Sequence, residues 1–260
     1  MSEQVIRKNW KAIVWKHAWQ TLVALAFLAV CWIGAHWFVG NELLVPDFFD
    51  CLKSIGELLT DGAFYKAFLK TLLRVLTAFF CSVAPAGIFA VIAYLSPTFR
   101  GILSPIVSAL RSLPALAVLL IVLVWTGAGI APIVIAFLSL FPMLYTGFLS
   151  ALFSVNSDLV EMSRVYNVPT KRRIFSLYLP NAAPYALRES GAALAFSLKL
   201  VVSAEVLAST YQSVGGMMQE ARLYLEMPTL FALVALTFFV GIVLESLISC
   251  LAYFVERRVK

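Results

Sequence analysis

The sequence predicts an all-α membrane protein of about six transmembrane helices, and two observations predict it. Of 260 residues, 62% are hydrophobic and only 13% charged, against roughly 45–50% apolar and about 25% charged in soluble domains. The mean hydropathy is +0.91. The second observation is arrangement: the apolar residues fall in long runs, with most charges in the segments between them. A bilayer core about 30 Å thick takes about 20 helical residues, and there only helices or closed barrels satisfy their own backbone.

Taken in order, the chain starts with Arg7, Lys8, Lys11 and Lys16, followed by an apolar run from Thr21 to Val39. At about 19 residues this run exceeds the 7–15 of a signal-peptide core, and it reads as a retained first span. From Pro46 to Leu59, Phe48, Phe49, Leu52, Ile55 and Leu59 recur at spacings near 3 and 4. That periodicity predicts a short amphipathic helix, either lying in the outer interface or packed on the bundle. Five more spans come after it: Thr71 to Tyr94, Ile102 to Val124, Ile130 to Ala151, Pro184 to Ala208 and Pro228 to Phe254. Pro85, Pro114 and Pro142 fall inside them, where kinks are expected. Residues 1–20 and 256–260 read as cytoplasmic ends of a transmembrane domain over 21–255.

Lysine and arginine assign the sides. With the N-terminus inside, inner segments hold the four N-terminal basic residues, Arg100, Arg164, Lys171, Arg172, Arg173, Arg257, Arg258 and Lys260. Outer segments hold fewer: Lys53, Lys66 and Arg222, with Lys70 and Arg74 near an outer helix end. Both termini are therefore expected in the cytoplasm. The net charge of +6 carries topology, not nucleic-acid binding, because the basic residues do not share one polar face. Cys31, Cys51, Cys81 and Cys250 lie far apart with no C-x-x-C spacing, and His17 and His36 have no ligand partner at helical spacing. No metal site is expected.

The longest inner segment, 152–183, predicts two short helices. Asp158 is placed to cap the first, with Glu161 three residues on as in a capping box. Leu159, Met162 and Tyr166 share one face. Asn167 stands where the helix stops, and asparagine is the best non-glycine residue for a left-handed stop. Pro169 suits the first turn of a second helix over Thr170 to Tyr178, which turns Lys171, Arg172 and Arg173 outward and Ile174, Phe175 and Leu177 inward. Leu179-Pro180 is expected to break it. On physics alone, a re-entry loop whose basic residues meet anionic lipid is an equal reading.

Glu161-Met162-Ser163, Asn167, Phe175, Leu179-Pro180 and Pro184 together resemble the "EAA" loop of ABC importer permeases, whose pattern is E-A-A, three residues, G, and a later L-P. Leu113-Pro114-Ala115-Leu116-Ala117, Trp125-Thr126-Gly127-Ala128-Gly129 and Ser213-Val214-Gly215-Gly216-Met217-Met218 fall in the order of the nitrate/sulfonate/taurine-type branch. The resemblance covers about residues 65 to 252. Met162 and Ser163 replace the alanines and Asn167 the glycine, so a co-adapted partner is expected. The resemblance implies the type I ABC importer permease fold in a bacterial cytoplasmic (inner) membrane. It also implies that 152–183 is a coupling loop docking on ABC ATPase subunits. Asp158, Glu161, Met162, Ser163, Tyr166, Asn167, Phe175, Leu179 and Pro180 are the candidate docking residues.

No G-x-x-x-x-G-K-[ST] occurs in the chain, so ATP and its magnesium are expected on a separate ATPase. No cofactor and no catalytic residue is expected on this chain. The resemblance implies a separate extracytoplasmic substrate-binding protein for recognition outside, and a second permease copy, most simply a homodimer, to complete the pathway. The solutes the branch implies are sulfonates, nitrate and related anions, or vitamin and pyrimidine precursors.

Arg74, Arg188 and Glu189 stand near span ends; Lys199 and Glu205 lie in the fifth span and Glu245 in the sixth. Ionisable groups inside a span face a cavity or a partner, so the last three are pathway candidates. Positions 199 and 205 are about 240° apart on a helix, and each needs a partner elsewhere. Lys199 suits an anionic solute; the competing reading pairs it with Glu245. Glu205, near the outer end, faces the binding protein or water. Gly215 and Gly216 are candidates for an outer gate, or for a plain loop. Two other functional classes stay open: an ion- or proton-coupled transporter using Lys199, Glu205 and Glu245 as a relay, and a non-transporting scaffold.

Overall fold

The computed structural model describes residues 44–155 and 157–259, with Val30, Trp32, Gly34, Trp37, Phe38 and Gly40 before them. Most of the first expected span, the four N-terminal basic residues, His17, His36 and Lys260 lie outside the described residues. Within the first span, Trp32 packs edge-on against Phe231 at 4.8 Å and donates its indole N–H to the Pro46 carbonyl.

Helix α1, Phe48–Thr60, buries Cys51, Ser54 and Leu58 against the last helix. Its packed face is the polar-tinged one. Phe48, Phe49, Leu52 and Leu59 are left exposed, so the helix both docks on the bundle and offers an aromatic edge outward.

Helix α2, Gly62–Leu95, starts nine residues before the expected span, because Asp61 caps it by accepting the Ala63 N–H at 2.8 Å. Its 34 residues at about 1.5 Å each exceed the bilayer core, and it runs through Pro85 unbroken. Helix α3, Pro97–Ser112, is capped by Ser96 and opened by Pro97, a position where the missing N–H costs nothing.

The expected span Ile102 to Val124 is not one helix. Helix α3 ends at Ser112, α4 runs over Ala115–Thr126, and the two meet at 92°. Pro114 is the cause: its ring drives Leu113 out of the helical region, to φ −67°, ψ 129°. Helix α5, Ala131–Phe153, passes Pro142 without interruption.

Helix α6 covers Ser157–Val165, and α7 covers Thr170–Arg173. Leu179-Pro180 does not break the second short helix from the span after it. A π-helical turn over Ile174–Tyr178 joins α7 to α8, Leu179–Leu207, giving 38 continuous residues. The Leu179 N–H reaches back five residues to the Ile174 carbonyl. Widening the backbone there lets Pro180, which has no N–H to give, enter the helix without ending it. Helices α9, Val214–Leu223, and α10, Met227–Val259, complete the chain.

Among the described residues, four helices are long and apolar enough to cross a membrane, and the bent α3/α4 pair makes a fifth. Its ends decide that it is a broken span and not a re-entrant loop. At its start the Arg100 guanidinium stands 5.1 Å over Phe153; just past its finish the Gly129 carbonyl accepts from Arg74 and the Ala128 carbonyl from Thr210. Segments expected on one side of the membrane thus meet at one end. Residues 70–74, 127–130 and 208–216 gather at one end, and Tyr94, Arg100, Phe153 and Tyr178 at the opposite end.

Helix α8 is the hub, packing on α2, α5, α9 and α10. Between α2 and α5, fully buried Ala78, Ala86, Ala90 and Ala93 face Leu140, Leu144 and Phe148. Small residues on one helix let the other approach closely, which drives association where lipid removes the usual hydrophobic gain.

Candidate functional site

Two constellations matter, one at each end of α8. The first is the 152–183 segment. Helix α6 starts at Ser157, and Asp158 sits inside its first turn. Its charge favours the helix N-terminus. The helix stops at Asn167, at φ 49°. The Val168 N–H bonds the Ser163 carbonyl, six residues inclusive, at 3.0 Å, the pairing that closes a helix over a left-handed residue. Ser163 fills a second role locally, its hydroxyl donating to the Val160 carbonyl at 2.6 Å. Pro169 lies one residue ahead of α7, and its carbonyl takes the first helical bond, from the Arg173 N–H.

The face shared by Leu159, Met162 and Tyr166 points away from the bundle, at 37%, 55% and 75% exposure. Val165, which carries no signal of its own in the sequence, joins it at 72%. Phe175 is expected inward but is 61% exposed; the π turn alters the helical phase, and Tyr178 takes the buried position instead. Leu179 is also exposed, while Ile174, Leu177 and Pro180 are half-buried. Glu161, Lys171 and Arg172 face outward. Tyr178 anchors the segment: its ring packs edge-on against Tyr94 at 4.9 Å, and Tyr94 packs on Phe153 at 5.0 Å. Sequence does not reveal this aromatic root, because its members come from three distant helices.

The second constellation holds the charges in the spans, and the structure separates them. Lys199 and Glu245 are exposed and line one cavity of about 350 Å³ between α8 and α10, with Ser203, Thr237 and Phe238. Ion pairs join Lys53 to Glu57 and Arg74 to Glu205, and among the described residues none joins Lys199 to Glu245, which share a cavity and not a bond. Lys199 belongs to a stripe along α8, with Tyr185, Phe196, Ser203 and Leu207, that stays open on a helix otherwise packed on its neighbours.

Glu205 neither meets water nor faces outward: it is wholly buried. Arg74 Nη1 pairs with its Oε1 at 2.8 Å, the Thr71 hydroxyl lies 2.9 Å from Oε2 and 3.1 Å from Oε1, and the Gly215 N–H donates to Oε2 at 3.2 Å. The expectation that its partner lies on another helix holds. Gly215 and Gly216 are not loop residues but the first turn of α9, capped by Ser213. A Cβ on Gly215 would stand 2.4 Å from the Glu205 Cβ, and one on Gly216 2.2 Å from the Thr210 carbonyl oxygen. Both are glycine because backbone must come that close.

The comparisons with known proteins agree with this geometry. The taurine transport system permease protein TauC of Escherichia coli (strain K12) is 26% identical over 250 residues, covering 92% of this chain and 89% of its own length. The glycine betaine/proline betaine transport system permease protein ProW of the same organism is 30% identical over 172 residues, covering 65% of this chain and 45% of its own. Among solved structures, an amino acid ABC transporter with histidines superposes at a TM-score of 0.64, with 16% identity over 80% of this chain and 98% of its own. The MetNI methionine ABC transporter in an inward-facing conformation gives 0.58, with 20% identity over 76% and 96%. These fix the fold as that of type I importer permeases. The model of the binding-protein-dependent transport system inner membrane component matches residues 83–260, more than half the chain, and the protein belongs to that family, as a multi-pass permease of an ABC importer.

Proposed function

We propose that this permease forms half of the pathway of an ATP-driven importer for a small solute carrying an anionic group, with its 152–183 segment as the coupling loop. The observation that carries the proposal is the outward apolar face of Leu159, Met162, Val165 and Tyr166, with Phe175 also exposed, on a segment rooted in the bundle through Val160, Ile174 and Tyr178. A row of large apolar side chains left open on a polar-rimmed loop marks a protein contact. An ATPase subunit is the partner the family supplies. Glu161, Lys171 and Arg172 stand around this face as its polar rim.

The pathway runs along the open stripe of α8. Charged side chains exposed in a membrane-length helix cannot face lipid cheaply, so Lys199 and Glu245 face a water-filled passage completed by a second copy of the chain. Lys199 attracts the anionic group of the solute; the relative named for taurine carries a solute of this kind. A separate binding protein delivers it at the end bearing α9, which the lysine and arginine distribution places outside, with both termini in the cytoplasm. Reconstitution with the partner ATPase and binding protein in vesicles tests this. Uptake of labelled taurine or another sulfonate is expected to require ATP and binding protein together, and uptake driven by an ion gradient alone would overturn it.

A further inference from the structure

We propose that Arg74, Thr71 and Glu205 form a charged latch that binds the 127–130 turn, the 208–213 loop and the start of α9 into one cap on α2 and α8, and that this cap relays arrival of the binding protein to the spans. The inference rests on the importer reading above. The connections of the latch carry it.

Residues 71 and 74 lie more than 130 positions from Glu205 in the chain, and the carboxylate ties together what they carry. Arg74 spans two partners, giving Nη1 to Glu205 and Nε to the Gly129 carbonyl at 3.3 Å. Thr71 works as a relay: its hydroxyl donates to the carboxylate and accepts the Val214 N–H at 3.0 Å. The opening N–H groups of α9 are all placed, Val214 on Thr71, Gly215 on Glu205 and Gly216 on the Ser213 hydroxyl at 2.8 Å. The Ser213 hydroxyl in turn donates to the Thr210 carbonyl, and the Thr210 hydroxyl to the Ala128 carbonyl. Lys70 bonds Gln212 at the rim. Gly215 makes this possible, since any side chain would strike the Glu205 Cβ.

A buried ion pair is a poor device for stability, because apolar side chains of similar volume do as well or better. What it does supply is register: a charge with fixed donors has one acceptable arrangement, and partial opening strands it. The cap therefore shifts as a unit or not at all. On its outer surface it carries Tyr211 and Tyr224, 80% and 71% exposed, beside a cleft of about 540 Å³ also lined by Asp61, Gln219 and Glu220. Aromatic side chains beside polar ones are the composition of a protein contact.

The test uses the assembled transporter in vesicles, adding the cognate binding protein with its ligand bound as purified. Wild type is expected to show binding-protein-stimulated ATP hydrolysis; if it shows none, the importer reading fails and not the latch. Glu205→Gln and Arg74→Gln are each expected to cut the stimulation per assembled complex by roughly tenfold or more, with unstimulated hydrolysis kept. The double variant is expected to be no worse than either single, because one pair is lost once. Arg74→Lys keeps the charge but cannot hold Glu205 and the Gly129 carbonyl together, and an intermediate loss is expected.

Three outcomes overturn the latch. The first is stimulation per complex unchanged while the amount of complex falls. The second is single effects that multiply in the double variant. The third is a changed half-saturating solute concentration with stimulation intact, which would make Glu205 a pathway residue. Should Glu205→Gln fail to assemble, Thr71→Val and Arg74→Lys carry the same measurements.

Discussion

At the scale of single residues, Asn167 shows how a changed letter keeps its physics. The left-handed conformation costs most L-residues about 1–2 kcal/mol, and asparagine tolerates it. Asn167→Val places a branched side chain there, and is expected to abolish co-purification with the ATPase while membrane insertion persists. Asn167→Gly is expected to behave as wild type in the same pull-down. Lys199 tests the pathway instead. A hydrogen bond to a charged group is worth about 1.5–3 kcal/mol, so Lys199→Ala is expected to reduce uptake at subsaturating solute by roughly tenfold or more. Its exposed position means that thermal stability of the purified permease should not change. Unchanged uptake would remove Lys199 from the pathway.

At the scale of elements, the long apolar runs are legible because bilayer thickness fixes their length. The stop at Asn167 is legible because few residues accept that backbone. Leu179-Pro180 reads as a break and is none, since a π turn satisfies the backbone around a proline without leaving a mark in the apolar pattern. The misplacement of Phe175 has the same origin, for an ordinary helical period cannot continue through that turn. Pro114 is expected to kink a span and in fact divides it at 92°, because the residue before it turns fully extended. The exposed Phe175 gives the coupling loop its own test. Burying such a side chain is worth about 1.5–3 kcal/mol, so Phe175→Ala is expected to weaken ATPase association by tenfold or more, read by titrating the ATPase onto the permease. The melting temperature of the permease alone should hold, as the side chain is 61% exposed within it.

At the scale of the whole molecule, sequence could not show pairing across distance. Arg74 and Glu205 are each visible as charges near one end of the bundle, yet nothing local joins residues 131 positions apart. The open stripe on α8 is equally hidden, because exposure depends on all its neighbours at once. That stripe is expected to meet water in the assembled dimer. In a background lacking the native cysteines, Lys199→Cys should react with a membrane-impermeant thiol reagent. Ser197→Cys, two residues along the same helix at a wholly buried position, should not; equal reactivity would remove the passage from α8.

The continuity of residues 170–207 gives these ends a mechanical relation. Thirty-eight helical residues at about 1.5 Å each make a strut of roughly 55 Å, with the coupling loop at its foot and Glu205 near its head. A tilt imposed at Thr170 therefore has a continuous backbone route to Leu207, with no relay of side chains between. A pair of glycines at mid-length, where the strut could bend, should leave both ends folded and deaf to each other.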